Sequence, residues 1–348
     1  MKKYYTRACN FFYQNNQKDF TSSSRKFLNG DRNISFDSVE ILSRNSKKKI
    51  KLKNINSLNK SLKKKIKSDL QNITKKKKFK NLNLSNSPLI MGILNITPDS
   101  FSDGGKYYKS GNAYKHAINL KNQGSDIIDV GAESTRPGAK DLNPLTEWKR
   151  LKSPLSKIYK KFKFISLDSR KLHVMEKAYN FNIKLINDVS GLAYDNGTIK
   201  FLKKTRIPFV IHHTIGTPKT MQNNPKYKNV LLDIYDYFED KIKKIRTAGI
   251  KHNNIILDPG IGFGKNLKHN ITLLKNISIF HSLGFPLLLG ISRKKFIKEI
   301  AMENDSAQKY GGTISTSLFL MNQGVQILRV HDVNEIKQAI KTFKKLTF

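Results

Sequence analysis

Asp168, Asn187, Asp258 and Lys294 each close a short apolar run, in "KFISLD", "KLIND", "NIILD" and "PLLLGISRK". Two carboxylates, an amide and a cation offer the donors and acceptors that read the edge of a heterocycle in a tight pocket. Asp258 with Lys294 would serve equally well as a structural ion pair. Arg136, Arg329 and His331 follow other runs and form a cationic set suited to oxyanions, because the guanidinium fork matches phosphate and carboxylate. Asn95 ends the run "LIMGIL" as a neutral oxygen donor. Beside a phosphate site it fits Mg²⁺, which keeps most of its waters and takes few protein ligands.

Other chemistries lack their residues. There is no HExxH, CxxC or clustered carboxylate set for a tightly held zinc. No nucleophilic cysteine or G-x-S-x-G elbow accompanies the pair His212-His213, which reads as a relay or, more ordinarily, as packing against a pocket floor. "PGIGFGK" (Pro259–Lys265) holds neither a complete dinucleotide fingerprint nor a Walker A spacer.

The elements that must position these residues are eight apolar runs, from "LIMGIL" at Leu89 to "VQILRVH" near the C-terminus, separated by stretches of helical spacing. Such alternation predicts a parallel sheet. Eight repeats in about 260 residues predict a (β/α)₈ TIM barrel, with a doubly wound open sheet as the structural alternative. A polar residue after a strand is ordinarily a cap or turn former. All eight runs end in one, however, and a barrel collects those ends at a single mouth.

The expected organisation is a basic N-terminal extension over 1–84 and a barrel over 85–348. Net charge is +39, and residues 1–88 carry 23 Lys/Arg against 5 Asp/Glu, but the remainder is also basic, 42 against 21. Weak attraction to polyanions follows, without specific nucleic-acid recognition. Within the extension, Asn33–Leu42 alternates as one strand and residues 57–79 read as a basic helix or linker. One cysteine excludes a disulfide framework, and no run is long enough to span a membrane. The first residues lack a secretory signal; a mitochondrial transit segment is the minor alternative to a cytoplasmic protein.

"MGILNITPDSFSDGG", "IIDVGAESTRPGA", "LINDVSG", "GTPKTMQ", "LDPGIGFGK", "GISRKKFI" and "ILRVHDV" together resemble the signature segments of the dihydropteroate synthase family, in order from Leu89 to the C-terminus. The resemblance implies condensation of 6-hydroxymethyl-7,8-dihydropterin diphosphate with p-aminobenzoate, with Mg²⁺ as cofactor and sulfonamides as inhibitors. It implies that Asp168, Asn187, Asp258 and Lys294 hold the pterin, and that Asn95 holds Mg²⁺ on the diphosphate. Arg329 and His331 would grip the diphosphate oxygens. Thr135, Arg136 and Pro137 would lie on a mobile loop that, with a lid over Thr97–Gly105, builds the p-aminobenzoate site beside Phe263. Catalysis would fall to Asp168, Lys294, Arg329 and His331. Homodimerisation is left open. The segment "VIHHTIGTPKTMQ" departs from the family, with His212 where Met is common and Ile215 where Arg or Gln is usual. Rivals are a methyltetrahydrofolate–corrinoid methyltransferase barrel and a basic nucleic-acid-binding protein on a barrel scaffold. With no strand-end residue before Asn95, residues 1–84 are expected to be dispensable for chemistry.

Overall fold

The computed structural model describes residues 3–13, 24–80, 82–97, 110–134, 136 and 138–347. The chain begins with a four-stranded antiparallel sheet. In it β1 (Tyr5–Tyr13) pairs along β3 (Ile34–Ser43), whose other edge takes β2 (Lys26–Phe27) and β4 (Ser46–Lys51). Helix α1 (Lys60–Thr74) follows, started by Asn59, whose side chain accepts from Leu62 N at 3.0 Å. Its buried residues Ile66, Leu70 and Ile73 recur at helical spacing, and Lys64 and Lys67 on the other face are exposed. They complete a small core with Ala8, Leu28, Phe36, Val39 and Ile41.

This extension is docked on the barrel. β1 and α1 pack on the 3₁₀ segment Ile277–Leu283. Tyr5 meets Tyr235 edge to face at 5.1 Å and donates its hydroxyl to Asp236 at 2.9 Å. Ser278 donates to Ala8 O at 3.0 Å, and Asn72 to Ser282 O at 2.9 Å. Arg44 adds ion pairs to Asp233 and Asp236.

Eight parallel strands form the barrel. In chain order the elements are β5 (Leu89–Asn95), α2 (Ser110–Asn122), β6 (Ile127–Gly131), α3 (Pro144–Ile158), β7 (Ile165–Asp168) and α4 (Leu172–Tyr179). Then come β8 (Leu185–Asp188), α5 (Thr198–Thr205), β9 (Phe209–His212), α6 (Val230–Thr247), β10 (Ile255–Asp258) and α7 (Leu267–Lys275). The chain ends with β11 (Leu288–Gly290), α8 (Lys295–Ala301), α9 (Tyr310–Met321), β12 (Ile327–Val330) and α10 (Val333–Thr347). Sheet order runs β10-β9-β8-β7-β6-β5-β12-β11. A parallel bridge between Leu257 and Leu287, with Leu257 N donating to Pro286 O at 2.9 Å, closes the ring between β10 and β11. The open-sheet alternative is thereby excluded.

Strand alternation sorts the interior into layers. Met91, Ile127, Phe164, Leu185, Val210, Ile256, Leu288 and Ile327 form one buried apolar cluster inside the barrel. Phe79, with Leu82 and Leu84, joins this cluster, so the segment before β5 plugs the barrel floor. Two residues further along, on the same face of each strand, stand Asp129, Ser166, Asn187, His212, Asp258, Gly290 and Arg329, with Ile93 the one large apolar member. The floor is apolar because it is filled, and the layer above it is polar because it faces the mouth. Outside the strands, the helices supply the larger core.

Candidate active site

The polar layer is knitted together at its centre by Asp129, which is wholly buried on β6. Its Oδ2 accepts from Arg329 Nε at 2.6 Å and from Asn187 Nδ2 at 3.1 Å. Arg329 also donates through Nη2 to Asp168 Oδ2 at 2.6 Å. One guanidinium thus bridges two carboxylates from different strands. Gly131 makes room for this: a Cβ there would lie 3.1 Å from the Cβ of Asp168. Burial pushes Asp168 up to about 7, against the pull of Arg329 and with the push of Asp129. The two carboxylates hold Arg329 above its ordinary value despite its burial.

Asp258 and Lys294 do not form an ion pair. Asp258 Oδ1 accepts from Gly260 N at 2.8 Å, while Lys294 Nζ donates to Ile261 O and lies 4.5 Å from the centre of the Phe263 ring. Burial raises Asp258 to about 6 and lowers Lys294 to about 8, each moderated by the other's charge. The turn that shapes this side is tight. Gly260 has φ +68, and a Cβ on it would lie 2.0 Å from His213 O. His212 packs edge-on against Phe263 at 4.6 Å, so it serves as wall rather than relay. His213 Nδ1 is 3.1 Å from Nζ of the buried Lys265, which also donates to Phe263 O at 2.8 Å. Both histidines are pushed well below their usual range, chiefly by burial, and stay neutral.

At the rim, His331 is held by Ser292, whose Oγ is 3.2 Å from Nδ1 and accepts the His331 backbone N–H at 3.2 Å. Burial, with Arg293 and Arg329 nearby, lowers His331 to about 3. Arg293 is itself anchored on Asp332, its Nε at 3.1 Å from Oδ2. Asn95 ends β5 opposite Gly131, partly accessible at the mouth. Arg136 is exposed, yet close enough for its charge to depress His331. Thr135 and Pro137 lie outside the described residues, as does the expected lid beyond Thr97.

Asp168, Asn187, Asp258, Phe263, Lys294, Arg329 and His331 therefore share one mouth. Two side chains that strand ends did not reveal belong with them. Asp129 sits mid-strand in "IIDVG", and its signal was an acid two residues after an inward Ile127. Ser292 precedes Arg293 in "GISRKK" and lies in the turn after β11 instead of at the strand end. Among the described residues no group of three or more His, Cys, Asp or Glu is placed to hold a metal ion.

Residues 91–331 match the model of the family described as pterin binding enzymes. The chain is 40% identical over 255 residues to a dihydropteroate synthase of Escherichia coli, covering 73% of this chain and 90% of that one. It is 42% identical over 265 residues to one of Neisseria meningitidis serogroup B, covering 74% and 93%. Among solved structures, the Yersinia pestis dihydropteroate synthase in a sulfonamide drug complex superposes with a TM-score of 0.73 at 38% identity, over 76% of this chain and 96% of that one. The Xanthomonas albilineans enzyme with 4-aminobenzoic acid gives 0.71 at 33% identity, over 76% and 94%. A closed eight-stranded barrel, a polar mouth and these likenesses over nine-tenths of each relative place the chain: it belongs to the pterin binding enzymes and, within them, to the dihydropteroate synthases.

Proposed function

We propose that the chain joins 6-hydroxymethyl-7,8-dihydropterin diphosphate to p-aminobenzoate, releasing diphosphate and forming 7,8-dihydropteroate. The carrying observation is the buried set of Asp129, Asp168 and Asn187 joined around Arg329, with Asp258 and Lys294 at the same mouth. The pterin offers alternating donors and acceptors along one edge; Asn187 and Asp258 answer them, and the Lys294 ammonium over Phe263 adds a donor above the ring plane. In the reaction the aryl amine nitrogen forms a bond to the exocyclic methylene as the methylene–oxygen bond to diphosphate breaks. The nitrogen proton leaves to solvent. Positive character grows on the methylene, and ionised Asp168, held by Arg329, is the group that stabilises it. With its Nε and Nη2 engaged, Arg329 reaches a diphosphate oxygen through Nη1, beside His331. The amine is weakly basic and needs position more than deprotonation. Arg136, Thr135 and Pro137 supply the neighbouring loop, with Phe263 as the wall of the aryl pocket.

Mg²⁺ fits this chemistry as a companion of the diphosphate. Asn95 would hold the ion through one neutral oxygen, in keeping with an ion that takes few protein ligands. Bound there, it would supply charge neutralisation for the diphosphate. Sulfonamides compete with p-aminobenzoate for the same wall. In the described residues no helix is long and apolar enough to cross a membrane. A homodimer is favoured by α9, which carries no charged residue in a chain that is 26% charged, with Tyr310 and Phe319 each 48% exposed on it.

The test is formation of dihydropteroate from the two substrates, with and without Mg²⁺. Turnover that depends on the ion and is blocked competitively by a sulfonamide supports the reading. A folded protein that binds neither the pterin diphosphate nor p-aminobenzoate would sink it.

A further inference from the structure

Five charged side chains outside the pterin ring form a second, mostly buried cluster. Lys171 Nζ lies 2.7 Å from Glu147 Oε2, 2.7 Å from Glu133 Oε1 and 3.4 Å from Asp141 Oδ1. Arg170 reaches Glu133 at 3.1 Å and Asp141 at 2.9 Å, and its guanidinium lies 4.6 Å from the centre of the Tyr194 ring. Tyr194 donates to Asp141 at 3.0 Å. The side chains of Lys171 and Glu147 are 1% and 0% exposed.

The placement of these charges is informative. Glu133 and Asp141 are the two ends of the loop between β6 and α3. Glu133 also accepts from Leu142 N at 2.8 Å, so that loop is stapled to itself at its base. Arg170 and Lys171 come two and three residues after Asp168, on the turn that starts α4. Tyr194 belongs to the loop after β8. The cluster therefore latches three successive loops, and its cations stand on the one that carries the pterin carboxylate. Farther along the clamped loop, Gly138 N donates to Pro218 O at 2.9 Å, which ties it to the loop after β9. A buried ionic cluster gains little stability over apolar packing of the same volume, since desolvation offsets most of the attraction. What it supplies here is geometry.

We propose that Lys171 and Arg170 are positioning residues for the aryl amine substrate, holding both ends of the 133–141 loop at fixed distance from Asp168. The inference rests on the synthase reading of the site and adds a division of labour to it. The pterin is bound by the barrel interior, whereas the approach of the amine is set by this clamp.

The experiment uses the full chain. In Lys171→Met, KM for p-aminobenzoate rises by about ten-fold or more, because displacement of a positioning loop by an ångström is costly. The dissociation constant of the pterin diphosphate, read by calorimetry, stays within about two-fold. In Lys171→Met/Glu147→Leu, apolar packing replaces the buried pair. Thermal stability returns towards wild type, but KM for p-aminobenzoate stays high. Return of KM together with stability would show a purely structural cluster and overturn the proposal. If Lys171→Met does not fold, Asp141→Asn is read instead, since that side chain is 55% exposed and its loss spares the core. A several-fold rise in KM for p-aminobenzoate at unchanged melting temperature supports the proposal, and an unchanged KM refutes it. The synthase reading fails separately, by absence of turnover in the wild type.

Discussion

Asp129→Asn removes one negative charge from the centre of the pocket and keeps the shape of the side chain. In the wild type, Oδ2 serves both Arg329 and Asn187, and the buried Oδ1 has no protein partner. A hydrogen bond to a charged group contributes about 1.5–3 kcal/mol and a neutral one about 0.5–1.5 kcal/mol, so retaining the amide oxygen towards Arg329 still loses roughly 1–1.5 kcal/mol. The new NH₂ group takes the place of Oδ1 and finds no acceptor, which costs about 1–3 kcal/mol more. The sum, about 2–4.5 kcal/mol, lowers the melting temperature by roughly 4–9 °C at the ~2 °C per kcal/mol of a large domain. The kinetic sign is opposite. The Asp129 charge raises Asp168, so its removal lets Asp168 ionise at lower pH. The acid limb of kcat/KM for the pterin diphosphate should move to lower pH even as the protein becomes less stable. The assay is a pH–rate profile paired with calorimetric melting of wild type and variant. A limb that stays put or moves to higher pH would refute the assignment of Asp168 as the ionised stabiliser, and an unchanged melting temperature would refute the central place given to Asp129.

Four further outcomes are expected. In wild type, kcat/KM rises as Asp258 and Asp168 ionise, at about 6 and about 7, and falls as Lys294 loses its proton near 8; a profile flat from pH 5 to 9 would disprove their roles. The same raised carboxyls keep protons that the unfolded chain sheds near its ordinary value of about 3.9, so their contribution to stability declines as pH rises from about 4 to 7, visible as a falling denaturation midpoint. Lys294→Ala removes a desolvated cation from Phe263 and should weaken the pterin diphosphate by roughly 2 kcal/mol, about thirty-fold, by calorimetric titration; unchanged affinity in a folded variant would place Lys294 outside the pocket. Truncation to Ser85 uncovers the face on which β1 and α1 pack, including Tyr235 and the Ile277–Leu283 segment, and removes the Phe79 plug, so the shortened chain should aggregate or melt far lower. Recovery of a monodisperse truncated chain with wild-type melting would show that the docking adds nothing.

The barrel was legible because parallel strands buried on both faces read as uninterrupted apolar runs, and each run stops at a polar residue. The pocket was legible to the same extent, since Asp168, Asn187 and Asp258 are those stopping residues. Asp129 was hidden because it interrupts a run instead of ending it. The N-terminal sheet was harder. β1 reads "YTRACNFFY" without clean alternation because both its faces are covered, Ala8 by the small core and Tyr5 by Tyr235. The lysines of α1 masked three buried apolar residues set a turn apart. Nor does sequence spacing reveal that Lys171 meets Glu147 and Glu133, since such pairing arises only when consecutive βα loops are brought side by side.

The closure of the ring between β10 and β11 carries a consequence of its own. Every other neighbouring pair shares a ladder of several residues, whereas this pair shares one bridge at Leu257 and Leu287. The barrel is a closed ring with one weak seam. The two sides of the seam are β10, which ends at Asp258, and β11, which leads to Lys294. A pterin held between those two side chains would act as a splint across the seam. Breathing of the ring and occupancy of the pocket then become a single equilibrium, in which ligand draws the population towards the closed ring by mass action. Amide hydrogens at Leu257 and along Leu288–Gly290 would be the first to exchange in the empty protein and the most strongly protected once it is filled.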